Sequence, residues 1–358
     1  MAYQYGSQTA TILPKVRSAQ DGLVGPFFTT LCLPGGATTT VNIDTGSVGF
    51  VLPATMLQDQ SGAFLPWVKS TGQRMTLTYK PSTVTVSGTI VEVTGLTLTD
   101  VPEGETPIEI GTVRALAHDG SAAPYMMGVG FGLQAQSYMD DPNGQPLPGV
   151  STNTALDNPF MNVVGMSREP GAPFQAGYSL SAYGRGKVTL GQTADTLAGF
   201  RFMPLTADPT SPSGYQLPWV DVRVTSPDGG AVQTKAQMLM DAGIENMFLA
   251  VYEPSPPAAG TSPAHLHIDW AGKAVGIQAR DAAGALVVDY GFVNANPSAD
   301  AHANTNTDLD QPASPSTVLP GGPGPQGGSF LNTGVHPLAI YDYAVDFVNG
   351  QLGFRLRV

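Results

Sequence analysis

Apolar and polar residues alternate with a period of two over most of this chain, the pattern of strands that bury one face. Phe27-Phe28-Thr29-Thr30-Leu31-Cys32-Leu33, the turn Pro34-Gly35-Gly36, and Thr38-Thr39-Thr40-Val41-Asn42-Ile43 predict a hairpin that delivers Asp44. Residues 75–80 and 83–93 predict a second, longer hairpin around Pro81-Ser82, with a polar tip. Further strands are expected at 10–13, 177–181, 187–191, 201–205, 216–224, 236–240 and 264–270, and on to Val293. The closing stretch 341–355 predicts a hairpin on the two-residue turn Asn349-Gly350. Residues 134–159 are rich in turn formers, and 297–328 read as a surface loop without fixed structure.

Within this pattern one segment occurs twice. Val41-Asn42-Ile43-Asp44-Thr45-Gly46 is an apolar strand running into Asp, a small residue and Gly, and Met238-Leu239-Met240-Asp241-Ala242-Gly243 repeats it. A leucine stands eight residues after each aspartate, at Leu52 and Leu249. The chain therefore reads as a diverged duplication with two aspartates in equivalent turns, and the first repeat ends near residues 192–199. Two β lobes are expected, 1–195 and 196–358. In the Gly-rich run Tyr125-Met126-Met127-Gly128-Val129-Gly130-Phe131-Gly132-Leu133 the spacing is wrong for a phosphate loop and no helical pattern follows. Its glycines predict backbone packed against backbone.

Composition narrows the function classes. A length of 358 residues with 42% apolar content suits two domains with cores of their own, and 43 Gly and 31 Pro favour many short strands over long helices. The net charge of −12 leaves no basic cluster to meet phosphates, so no nucleic-acid partner is expected. No apolar run nears the roughly 18 residues that cross a membrane, so no membrane partner is expected either. Cys32 is the single cysteine: an internal disulfide and a zinc-ribbon site are excluded, and the thiol is expected in the core. His265, His267 and Asp269 share a strand face but lack a fourth ligand, so they read as a solvated face, and neither a metal nor another cofactor is expected. Met1 to Gly6 lacks the basic and apolar regions of a signal peptide. That fits a cytoplasmic protein, or a periplasmic or secreted one whose leader has been removed.

Two carboxylates held face to face cannot both ionise cheaply, so they share a proton and titrate as a unit. The ionised member can take a proton from water while the protonated one polarises a carbonyl, which is enough to hydrolyse a peptide. With Asp44-Thr45-Gly46-Ser47 and Asp241-Ala242-Gly243, the chain resembles the pepsin-like aspartic proteases over nearly its whole length. Leu77-Thr78-Tyr79 with Gly88 beyond, Met127-Gly128-Val129-Gly130, and Tyr343-Ala344-Val345-Asp346-Phe347 through Gly353-Phe354 carry the resemblance further. The lack of disulfides is similar to bacterial members.

The resemblance implies a mainly β, bilobal double barrel with pseudo-two-fold symmetry and a cleft between the lobes. It implies a catalytic pair Asp44 and Asp241 supported by Thr45, Gly46, Ser47 and Gly243, with Ser47 bonding the outer oxygen of Asp44 and Thr45 tying the lobes together. Tyr79 would sit on a flap over an extended peptide or unfolded-protein substrate, in a monomer acting at acidic pH. One departure stands out: the second motif continues Ala242-Gly243-Ile244, without the hydroxyls of the first. Asp241 is therefore expected to lack a donor and to be the member that holds the proton. The same departure keeps open a catalytically impaired pepsin-like fold that binds or inhibits peptides, and a third reading makes both aspartates structural in a β-rich surface protein.

Overall fold

The computed structural model describes residues 4–18, 24–79, 84–120, 125–131, 156–184, 186–208, 215–252, 265–266, 272–294, 313–315, 318–321 and 328–357. Strands dominate them, arranged as two outer sheets joined by a third. The predicted hairpin Val24–Cys32 and Thr38–Asp44 lies in a ten-stranded sheet, where Phe27 pairs with Ile43 and Cys32 with Thr38. The second predicted hairpin, Val68–Tyr79 and Val84–Val93, forms the edge of the same sheet. An eight-stranded sheet holds Trp219–Thr225, Ala231–Leu239 and Met247–Tyr252.

Both outer sheets thread their central strands alike. In the first, Thr38–Asp44 runs parallel to Met126–Val129, and Val48–Pro53 lies antiparallel to Met126–Val129 and parallel to Val113–His118. In the second, Ala231–Leu239 runs parallel to Phe330–Asn332, and Met247–Tyr252 lies antiparallel to Phe330–Asn332 and parallel to Val318–Pro320. A later strand is inserted between the strand entering each Asp turn and the strand leaving it. The two turns are thereby fixed in equivalent places by pairings remote in sequence.

The joining sheet repeats the symmetry. Its order is Ala10–Ile12, Lys187–Leu190, Gly177–Ser181, Tyr341–Asp346, Gln351–Leu356, Arg201–Pro204, so three strands from each half meet at the antiparallel pair of Gly177–Ser181 with Tyr341–Asp346. Asp346 is fully buried there, and its carboxylate accepts from the Val348 and Asn349 amides, Asn349 Nδ2 and Gln351 Nε2 at 2.7–3.1 Å. Four donors make this buried charge tolerable. They also widen the closing hairpin: its loop is the four residues 347–350 because Asp346 pairs with Gln351, instead of the two-residue turn expected on Asn349-Gly350.

One continuous core runs through both halves, with Phe27, Ile43, Phe50 and Leu52 on one side and Val222, Leu249 and Ile277 on the other, all at most 1% exposed. A smaller apolar cluster, including Leu77, Val86, Met126 and Leu156, lies beneath the long hairpin. Two expectations need correcting. Cys32 is half-buried, because it falls on the face of its strand shared with Thr30 while Phe27, Thr29 and Leu31 point inward. Within 297–328, Val318–Pro320 is a paired strand and Ala313, Ser314 and Val318 are buried; a three-residue strand whose partner is 71 positions away leaves no local pattern to read. Residues 297–312, 316–317 and 322–327, most of 134–159, the tip Pro81-Ser82, and His267 and Asp269 lie outside the described residues.

Candidate active site

Each aspartate sits where an apolar strand stops and the chain turns. Asp44 is 3% exposed and Asp241 7%. The backbone N–H of the glycine two residues on donates to each: Gly46 N to Asp44 Oδ1 at 2.7 Å and Gly243 N to Asp241 Oδ1 at 2.9 Å. The same glycines let the turns interlock. A Cβ on Gly243 would lie 2.7 Å from Asp44 Oδ1, and one on Gly46 would overlap the Asp241 carboxylate. Each carboxylate therefore rests against the backbone of the opposite turn, in space that only glycine leaves.

The outer oxygens are bonded differently. Ser47 Oγ donates to Asp44 Oδ2. Asp241 Oδ2 receives Asn332 Nδ2 at 2.8 Å, from the end of the inserted strand Phe330–Asn332. The expected missing donor on Asp241 is thus supplied from elsewhere in the chain. Asn332-Thr333-Gly334 looks in sequence like an Asp-Thr-Gly in which an amide replaces the base, and what it contributes is a hydrogen-bond donor.

Burial is the first cause that pushes the Asp241 carboxyl well above the usual carboxylate range, and the charge of Asp44 is the second. A hydrogen bond shared with Asp44 adds to this, while Asn332 and the Gly243 amide pull the other way. The shift thus comes from burial and the neighbouring charge, while the donor expected to be missing is supplied by Asn332.

Behind the pair, Thr45 bridges the two halves. Its hydroxyl donates to Met240 O at 2.7 Å and accepts from Ala242 N at 2.8 Å. Ala242 has no hydroxyl to return the bond, but Asn42 Nδ2 donates across to Gly243 O at 3.0 Å. Asn42 gives a weak sequence signal, a polar residue inside an apolar strand two positions before Asp44. Gly128 and Gly130 pack where the Gly-rich run predicts close approach: a Cβ on Gly128 would lie 2.7 Å from Ser47 Oγ, and one on Gly130 would strike Thr45 O.

Tyr79 ends the first strand of the long hairpin, opposite Val84, and packs on the apolar cluster beneath it. Burial pushes its phenol above the usual tyrosine range and the negative charge of Asp44 adds to the shift, so the hydroxyl lies within electrostatic reach of the pair and stays protonated. Among the described residues, no group of three His, Cys, Asp or Glu side chains is placed to hold a metal ion.

No protein-family model matches the chain, and no curated protein sequence does. The structure is similar to the aspartic proteinase from Irpex lacteus, with a TM-score of 0.55 at 16% identity, covering 98% of this chain and 97% of that one. The fold is that of a pepsin-like aspartic proteinase. Its two lobes are built on the outer sheets, and the Asp44 and Asp241 turns meet where those lobes face each other.

Proposed function

We propose that the protein is an aspartic endopeptidase in which Asp44 and Asp241 activate one water between them. The observation that carries this reading is the pair itself: two buried carboxyl groups in interlocked turns, with the carboxyl of Asp241 pushed above the usual range by burial and by the charge of Asp44. The ionised Asp44 takes a proton from the water as its oxygen attacks the peptide carbonyl, and Asp241 gives its proton to the carbonyl oxygen. In the resulting diol the C–N bond breaks as the nitrogen takes the proton from Asp44, and a diol hydroxyl returns a proton to Asp241. Gly46 N–H and Ser47 Oγ meet the ionised form of Asp44, which has only acceptors to offer.

An extended peptide or unfolded protein is the substrate that fits a cleft between lobes beneath the long hairpin, with Tyr79 on that hairpin as a flap residue. We assign the lobes to 1–195 and 196–358, and read the chain as a monomer without a nucleic-acid partner. The single cysteine supports kinship with bacterial, disulfide-free members. The impaired-module reading rests on Ala242 and Ile244, and it weakens because Asn332 and Asn42 supply bonds in that lobe.

The test is cleavage of denatured globin at about pH 4, with and without a statine-type inhibitor. Inhibitor-sensitive cleavage is expected, falling about 10²–10⁴-fold in Asp44→Asn and in Asp241→Asn. Activity should fail on the alkaline side as Asp241 loses its proton, above the usual carboxylate range. Undiminished cleavage by either variant would sink the proposal.

A further inference from the structure

The two halves of the site reach the same hydrogen-bond pattern from different residues. In the first repeat the donor to the outer carboxylate oxygen comes from the turn, Ser47, three residues after Asp44. The equivalent residue three after Asp241 is Ile244, which has no donor. The inserted strands differ in the opposite sense. Asn332 pairs with Leu239, two residues before Asp241, and in the first repeat that ladder position, opposite Asn42, belongs to Met126. Serine with methionine in one lobe thus corresponds to isoleucine with asparagine in the other. The donor and the apolar residue have changed places between the turn and the strand beside it.

The orientation of the amide follows from its partners. Gly334 N donates to Asn332 Oδ1 at 3.0 Å, so the oxygen faces that amide and the NH₂ group faces Asp241. Asn332 is 1% exposed, so the bond is made away from bulk water, where a hydrogen bond is stronger than at the surface. On the peptidase reading above, we propose that Asn332 is the positioning residue for Asp241, replacing in this lobe the hydroxyl that Ser47 supplies in the other. It fixes the rotation of the acid that must deliver a proton to the substrate carbonyl, and it favours the ionised form through which that acid passes in each cycle.

The proposal is tested with Asn332→Ala, Asn332→Leu and the double variant Asn332→Ala/Ile244→Ser. Asn332→Ala should lower kcat about tenfold or more with KM little changed, and move the alkaline limb of the kcat profile to higher pH, because the ionised form loses its donor. The double variant restores a hydroxyl at the position equivalent to Ser47 and should recover most of kcat and the original limb. Should Asn332→Ala fail to fold, Asn332→Leu keeps the approximate side-chain volume while losing the amide donor, and it should show the same fall in kcat. A merely structural Asn332 predicts lower thermal stability with an unmoved pH limb and no rescue by Ile244→Ser, and that result would overturn the assignment. A wild-type protein that cleaves nothing sinks the peptidase reading alone. Carboxyl ¹³C titration then decides the role of Asn332, and an Asp241 signal that titrates identically in wild type and Asn332→Ala refutes it.

Discussion

Gly46 and Gly243 show how much of this site depends on atoms that are missing. Each leaves room for the opposite carboxylate, so a single methyl group there must push the two aspartates apart. Gly243→Ala is expected to lower kcat about 10²-fold or more, since misplacing reacting groups by about 1 Å costs that much. Activity close to wild type in this variant would show that the turns do not need their close contact. Asp241 carries a cost of its own. Its carboxyl is neutral below the range in which the unfolded chain ionises, so stability is full there and declines as pH rises through the raised folded-state value. Asp241→Asn removes that decline, so the variant should melt higher than wild type near pH 7 and equally near pH 3. Equal melting at both pH values would contradict it.

At the level of elements, the long hairpin is held by both pairing and packing. Its register shifts between Ser70 and Arg74, and the Tyr79 end rests on Leu77, Val86 and Met126. The aromatic ring does this packing, so Tyr79→Phe should keep kcat/KM within about threefold while Tyr79→Ala loses about tenfold through KM. Equal losses in the two variants would shift the role from the ring to the hydroxyl. Most strands here were legible from alternation because each buries one face. Val318–Pro320 was not, since its burial comes from a distant parallel partner.

Across the whole molecule, the lobes are joined behind the carboxylates by Thr45 and Asn42 and, further back, by the six-stranded sheet. Thr45→Val leaves Ala242 N and Met240 O without that partner in a buried place, and should cost about 1–3 kcal/mol, read from denaturant unfolding. Thr45→Ser should retain most of it. Acid stability has a separate determinant in His336, 3% exposed, with its ring edge-on to Tyr290 and Phe292. Burial holds its imidazole down at about 3, so it stays neutral in the fold while the unfolded chain takes up a proton below about pH 6.5. Its contribution is intact above pH 6.5 and is lost as pH falls toward 3, by roughly 3 kcal/mol at pH 4. His336→Phe should flatten that fall, and an unchanged acid midpoint would show that other groups set it.

Sequence alone determined the features that follow from local chemistry. Alternation marked the strands, the two Asp-x-Gly turns marked the duplication and its carboxylates, and the crowded glycines marked close backbone contact. Tertiary structure alone decided what each carboxylate touches. The glycine of one turn lies against the aspartate of the other, and Thr45 is bonded to Met240 and Ala242 some 195 positions away. Asn332 illustrates the difference most sharply. Read locally it sits in a tripeptide without a base, and only the parallel pairing of Phe330–Asn332 with Ala231–Leu239 aims its amide at Asp241. A donor supplied from a neighbouring strand has no fixed sequence distance from the group it serves, so no motif could have announced it.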